Sequence, residues 1–188
     1  GRPKGKLPAR KAAKMDVAFW TAFAQMFAAE PLTRMWLSKL HPTLQYRNVE
    51  KRLQDVKKNF WYTMSLGRDQ RGYSIGPHTD TSDKWVTTLY YLPSTNRNPN
   101  LGTVIVRSKS GRTARGNERG NLSSRDFMIA RQASFTRNSV LAFAACDASW
   151  HAVQKVSGRI RRDTLQGFVS GFTAGGKKQC GGAGGKSG

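Results

Sequence analysis

Histidine and cysteine are among the scarcest residues of this 188-residue chain, which has three of the first and two of the second. Two cysteines, Cys146 and Cys180, do not make a disulfide framework. Cys180 also stands in a Gly-rich stretch poorly suited to holding bridge geometry, so a reducing compartment is expected. Long apolar runs are missing: nothing approaches the roughly 20 residues of a membrane helix, and the basic N-terminal stretch leads into no signal-type apolar core. The expectation is a soluble, cytoplasmic protein with no membrane span. Acids are few, 11 Asp and Glu against 32 Lys and Arg, giving a net charge of +21 and a pI near 10.9. Such a field attracts polyanions without choosing among RNA, DNA, acidic protein surfaces and anionic lipid.

What is present suffices for one domain with a sizeable core: 38% of residues are hydrophobic and 10% aromatic. Residues 1–14 form a basic arm with Pro and Gly and no acid, and residues 175–188 form a Gly-rich tail, leaving 15–174 as the domain. The segment 15–58 has helical periodicity. Asp16 is a candidate N-cap, and Val17, Trp20, Phe23, Ala24 and Phe27 share a face before Pro31; further helices are expected over Leu32–Leu40 and Val49–Lys58. From residue 60 to 172 the period drops to two or to short apolar runs. Strands are expected at Phe60–Leu66, Tyr73–Ile75, Trp85–Leu92, Thr103–Arg107, Phe127–Gln132, Val140–Ala144, His151–Val156 and Thr164–Phe172. Eight short strands after a helical start predict an α+β, mainly β fold, a double-stranded β-helix (jelly roll) with the N-terminal helices packed on one sheet. Between Ser108 and Arg125 lies a Gly-, Ser- and Arg-rich insert, read as a cationic loop facing a substrate or a partner.

His78 and Asp80 stand two apart, where side chains of an extended segment point the same way, so both can reach one metal ion while Thr79 faces elsewhere. Two imidazoles and a carboxylate on one side of a ferrous ion leave positions open for a chelating cosubstrate and dioxygen. His151, opening a strand beside Trp150, is the candidate third ligand; His41, before Pro42 at a helix boundary, needs no chemical role. Taken alone, H-x-D is as readily a loop histidine. Further on, Arg162, Thr164 and Gln166 alternate along one strand face, and a guanidinium with a hydroxyl suits a carboxylate. Arg161 and Arg159 are rivals for Arg162, and parity with Thr164 argues against Arg161. Trp85 and Phe143 are candidates to line or support the interior.

The order H-T-D at 78–80, W-H-A-V at 150–153 and R-D-T at 162–164 resembles the iron(II)/2-oxoglutarate-dependent oxygenase superfamily, in its prolyl-hydroxylase-like branch. The likeness runs from about Phe60 to Phe172 and includes R-D-Q-R-G-Y-S-I-G-P-H-T-D, Y-Y-L-P and L-G-T. It implies a dioxygenase, a hydroxylase using Fe(II), 2-oxoglutarate, O2 and ascorbate. His78, Asp80 and His151 would hold iron, and Arg162 would grip the distal carboxylate of 2-oxoglutarate with Thr164 assisting. Tyr91 matches a position that bonds the same carboxylate, while Tyr90 should face away; a core aromatic is the plainer reading of Tyr91. The substrate is unidentified, with peptidyl proline or another amino-acid side chain favoured. The strand after Arg162 lacks the Asn-x-Thr-x-Arg spacing of alkylated-base demethylases, so charge is no argument for nucleic-acid repair. The rival expectation is a catalytically inactive basic module binding nucleic acid or another polyanion through the arm and the Arg-rich loop.

Overall fold

The computed structural model describes residues 17–114, 122–158 and 160–172. The basic arm, the Gly-rich tail, the centre of the Arg-rich insert and Arg159 lie outside the described residues, as do the side chains of Val17, Trp20 and Ala24.

Among the described residues five α-helical segments lead, α1 Val17–Ala28, α2 Glu30–Lys39, α3 His41–Leu44, α4 Val49–Leu53 and α5 Val56–Asn59, with a 3-10 turn at Gln45–Arg47 between α3 and α4. Pro31 does not end helical structure. It occupies the first turn of α2, where its missing N–H costs nothing. The expected third helix is split, because the Asp55 carboxylate accepts from Lys58 N–H at 3.1 Å and caps a new start. Of the predicted apolar face of α1, Phe27 is buried edge-on against Tyr90 with ring centroids 5.0 Å apart.

Eight strands follow: β1 Phe60–Asp69, β2 Ile75–His78, β3 Lys84–Tyr91, β4 Val104–Ser108, β5 Phe127–Gln132, β6 Val140–Ala144, β7 His151–Val153 and β8 Arg162–Gly171. They form two four-stranded antiparallel sheets, β1-β8-β3-β6 and β2-β7-β4-β5. All eight expected strands are present, β5 and β6 with the expected bounds and the other six with shifted ends. β1 runs on to Asp69 because it stays paired to β8, and β2 begins later and reaches His78 because that residue pairs with β7. In β8, Arg162, Gln166 and Phe168 turn to the interior cavity, while Leu165 and Val169 are buried from the other side.

Helices α1, α2 and α5 pack on β1 and β3. The main core fills that interface: Leu37, Leu44, Val49, Val56, Phe60, Trp85, Val86, Ala144 and Val169 are buried together. Trp85 therefore supports the fold from the helix side and does not line the interior. A second cluster, Val104, Val106, Phe127, Trp150 and Ala152, is joined by Ala114 and Leu122 from the two ends of the Arg-rich insert. Cys146 is buried and, contrary to the expectation of unbridged cysteines, is not a free thiol; Cys180 lies outside the described residues. Among the described residues no helix is long and apolar enough to cross a membrane.

The centre of β8 leaves room for no side chain at Gly167. A Cβ there would fall on the Tyr62 hydroxyl and on Thr88 Oγ1. These groups form a chain: Tyr62 Oη donates to Thr88 Oγ1 at 3.0 Å, and Thr88 Oγ1 donates to Gly167 O at 3.1 Å. Gly167→Ala is expected to destabilise the protein by roughly 1–3 kcal/mol through overpacking, read as a lower urea midpoint at unchanged m-value. A wild-type midpoint would contradict this packing.

Candidate metal centre

The β2–β7 pairing sets His78 opposite His151 as Cα partners. Their rings lie 4.2 Å apart between centroids at 54°. His78 Nδ1 contacts Gly76 O at 2.9 Å, and His151 Nδ1 contacts Ser149 O at 3.0 Å. A carbonyl only accepts, so both rings carry a proton on Nδ1, and in its neutral form each ring then presents the Nε2 lone pair, the tautomer that a metal requires. Phe143, expected to line or support the interior, packs on the His151 ring at 4.8 Å.

Asp80 lies beyond the end of β2, in the link to β3. That link is held from the helix side. Arg47, over the Trp85 ring at 4.0 Å, donates to Ser82 O (2.9 Å), Lys84 O (2.7 Å) and Ala145 O (2.9 Å). Burial lowers the Arg47 pKa to about 10, helped by Arg52 and opposed by Asp83. With the link fixed, the buried Asp80 carboxylate accepts from Lys84 Nζ at 2.8 Å and from Thr87 Oγ1 at 2.6 Å, and its Oδ2 stands 3.8 Å from His151 Nε2. Burial pushes this carboxyl up, but the fields of His151 and Lys84 and the bonds from Lys84 and Thr87 outweigh it and hold the pKa down to about 2.

These side chains line a cavity of about 320 Å³, together with Ile75, Leu89, Val153 and Phe168 and, further along β8, Gln166 and Arg162. Thr79, expected to face elsewhere, also lines it; the residue is 1% exposed and its hydroxyl has no partner among the described residues. An orphaned buried hydroxyl at a cavity wall suits a bound polar group. Among the described residues no three of His, Cys, Asp and Glu stand close enough to grip a metal ion as they are. The reason is local. Adjacent ligands about 2.1 Å from an octahedral centre lie about 3 Å apart, whereas Asp80 is drawn toward Lys84 and Thr87 and sits 3.8 Å from His151. The donor set of two Nδ1-anchored imidazoles and one ionised carboxylate fits a ferrous ion after a small turn of that carboxylate.

Arg162, directly opposite Asp69 in the β1–β8 register, is 2% exposed. It donates through Nη1 to Asp69 Oδ2 (2.6 Å), through Nε to Leu101 O (2.7 Å) and through Nη2 to Thr103 Oγ1 (2.8 Å). Arg161 is exposed, as parity required. Thr164 is wholly buried, and its Oγ1 accepts from Gln166 Nε2 at 3.5 Å. Tyr91 is one bond further out: it packs on Phe135 in the core, and its hydroxyl accepts from Thr103 N–H at 3.0 Å. His41 pairs at the surface with Glu50, 2.7 Å away.

Asp69, Lys84, Thr87 and Thr103 were not singled out by sequence. Lys84 carries a signal, a cation four residues past Asp80. Asp69 carries none until the β1–β8 register is known, although it stands in the motif that precedes His78.

The depressed pKa has a sign. Asp80 binds a proton less readily folded than unfolded, where its ordinary value is 3.8, so its contribution is complete above about pH 4 and lost as pH falls through about 2. Between about pH 5 and pH 2 the wild type should lose ~2 kcal/mol more unfolding free energy than Asp80→Asn in urea titrations. Parallel losses in the two proteins would contradict the assignment.

No protein-family model matches the chain, and no curated protein matches it. Among solved structures it is similar to a Pseudomonas putida prolyl-4-hydroxylase, with 15% identity, a TM-score of 0.42 and 68% of this chain and 65% of that one covered. It is similar to a 2OG-Fe(II) oxygenase family oxidoreductase from Burkholderia pseudomallei, with 15% identity, a TM-score of 0.48 and 85% and 59% covered. A third is the viral collagen prolyl hydroxylase of Paramecium Bursaria Chlorella virus-1, with 11% identity, a TM-score of 0.39 and 69% and 67% covered. The chain spans less than two thirds of the length of the first two. Prolyl-4-hydroxylase-like and 2OG-Fe(II) oxygenase proteins thus stand among the structures this chain is similar to.

Proposed function

We propose that the chain is a non-haem iron(II)- and 2-oxoglutarate-dependent oxygenase that hydroxylates an organic substrate. The carrying observation is that His78 and His151 face each other with both Nδ1 protons tied to carbonyls, and that an ionised Asp80 reaches the same cavity. The strand pairing 1·8, 3·6, 2·7 and 4·5 supports reading the two sheets as the expected double-stranded β-helix, or jelly roll.

In this reading His78 Nε2, His151 Nε2 and an Asp80 oxygen hold the iron. When bound, iron(II) with 2-oxoglutarate and dioxygen supplies the oxidising power for C–H hydroxylation, leaving succinate and carbon dioxide. The chain's own work is positioning. Gly76 and Ser149 carbonyls fix the imidazoles, and Thr87 and Lys84 orient the carboxylate. Ile75, Leu89, Val153 and Phe168 give the cavity dry walls. Arg162 offers its remaining N–H groups to the distal carboxylate of the cosubstrate, with Thr164 beside it on the strand. Tyr91 acts through Thr103, whose hydroxyl accepts from Arg162. The substrate class favoured by the resemblance is peptidyl proline or another amino-acid side chain. Ascorbate belongs to the proposal as a supporting reductant.

A second reading, a catalytically inactive basic jelly-roll module, draws on one observation: among the described residues, the lysine and the arginine lining the cavity are already matched by carboxylates, Lys84 by Asp80 and Arg162 by Asp69. Nothing in the described residues supports nucleic acid as its partner beyond net charge.

Succinate release from 2-oxoglutarate separates the two. With iron(II), ascorbate and air, the wild type should form succinate, and Asp80→Ala should lower the rate by at least roughly 100-fold. Succinate from neither protein would favour the inactive module, and an Asp80→Ala rate equal to wild type would remove Asp80 from the centre.

A further inference from the structure

Two of the chain's 11 acids, Asp69 and Asp80, line one cavity in a molecule with 32 basic residues. Each is set against one of the two lysine or arginine cations that line it among the described residues. Asp80 Oδ1 lies 2.8 Å from Lys84 Nζ, and Asp69 Oδ2 lies 2.6 Å from Arg162 Nη1. A pocket that recruits a dianion by its field leaves the anchoring guanidinium uncompensated; here the guanidinium is neutralised before any ligand enters. Asp69 is 6% and Arg162 2% exposed, so solvent screens the pair little. Asp69 is no mobile gate, because it is the direct cross-strand partner of Arg162 at the ends of β1 and β8. A guanidinium has five N–H groups, and Asp69, Leu101 O and Thr103 Oγ1 take one each. A ligand carboxylate would meet the remainder beside a fixed negative oxygen.

We propose that Asp69 is a specificity-determining residue of this cavity: as a built-in counter-ion of Arg162, it makes the site accept 2-oxo acids with uncharged tails almost as well as 2-oxoglutarate. The inference rests on the metal and oxo-acid reading above. The attraction that a distal carboxylate gains from Arg162 is offset by repulsion from Asp69, and a neutral tail forgoes both. A pair serving stability alone would change how much folded protein there is and leave the preference between two ligands unmoved.

The test compares 2-oxoglutarate with 2-oxopentanoate, which has the same carbon chain and lacks the distal carboxylate. Isothermal titration of the manganese(II)-loaded full chain without oxygen yields both Kd values. For the wild type, 2-oxoglutarate should bind less than about tenfold tighter than 2-oxopentanoate; a larger preference overturns the proposal without any substitution. Asp69→Asn, which keeps the shape and removes the charge, should raise that preference about tenfold or more over wild type. Asp69→Glu, which keeps the charge, should stay near the wild-type ratio. An unchanged ratio in folded Asp69→Asn overturns the role of Asp69 while leaving the oxo-acid reading intact. Should the manganese-loaded protein bind neither acid with or without the substitution, the oxo-acid reading fails, and the proposal with it.

Discussion

The β2–β7 register is the constraint on which the rest depends. Side chains alternate with a period of two, so a one-residue slip of β2 would turn His78 out of the cavity while leaving the sheet itself able to form. Two features oppose that slip. Ile75 and His78 pair with Val153 and His151 across an irregularity that absorbs one extra residue, and β7 is itself tied to β4 through Val104↔Ala152 and Ile105↔His151. The imidazoles are then oriented by their own chain segments, each Nδ1 finding a carbonyl two residues upstream.

The carboxylate comes from a link and not from a strand, and its placement is borrowed from the helical layer. Arg47 crosses from that layer to three carbonyls around Asp80 and β3 while its guanidinium covers Trp85. The core that buries Trp85 therefore also positions the acid. Burying ions is costly, and removing one partner of a buried pair typically costs roughly 3–5 kcal/mol. The cavity of this very basic chain is accordingly lined by matched pairs, Asp80 with Lys84 and Asp69 with Arg162. The net charge of +21 resides elsewhere and does not describe the cavity.

Much of this was legible in the sequence, for identifiable reasons. Strands such as Phe127–Gln132 and Val140–Ala144 are short apolar runs between turn signals and fall where expected. The proximity of His78 and Asp80 follows from a spacing of two. Parity along β8 separates buried Arg162 from exposed Arg161. What was not legible depends on register between distant strands. Asp69 gains its meaning only by standing opposite Arg162, 93 residues away, and the Tyr91 hydroxyl is used by Thr103 N–H because the 101–103 segment passes over it. Thr79 was assigned away from the cavity by strand alternation, but the strand ends at His78 and alternation ends with it.

The central claim is that two imidazoles and one carboxylate close on a single ion. X-ray absorption at the iron edge, on the anaerobic iron(II)-loaded chain, addresses it directly. The expected spectrum is that of a six-coordinate nitrogen and oxygen shell carrying outer-shell scattering from two imidazoles, reduced to one in His151→Ala. Iron surrounded by water oxygens alone, or a spectrum unchanged by that substitution, would contradict it.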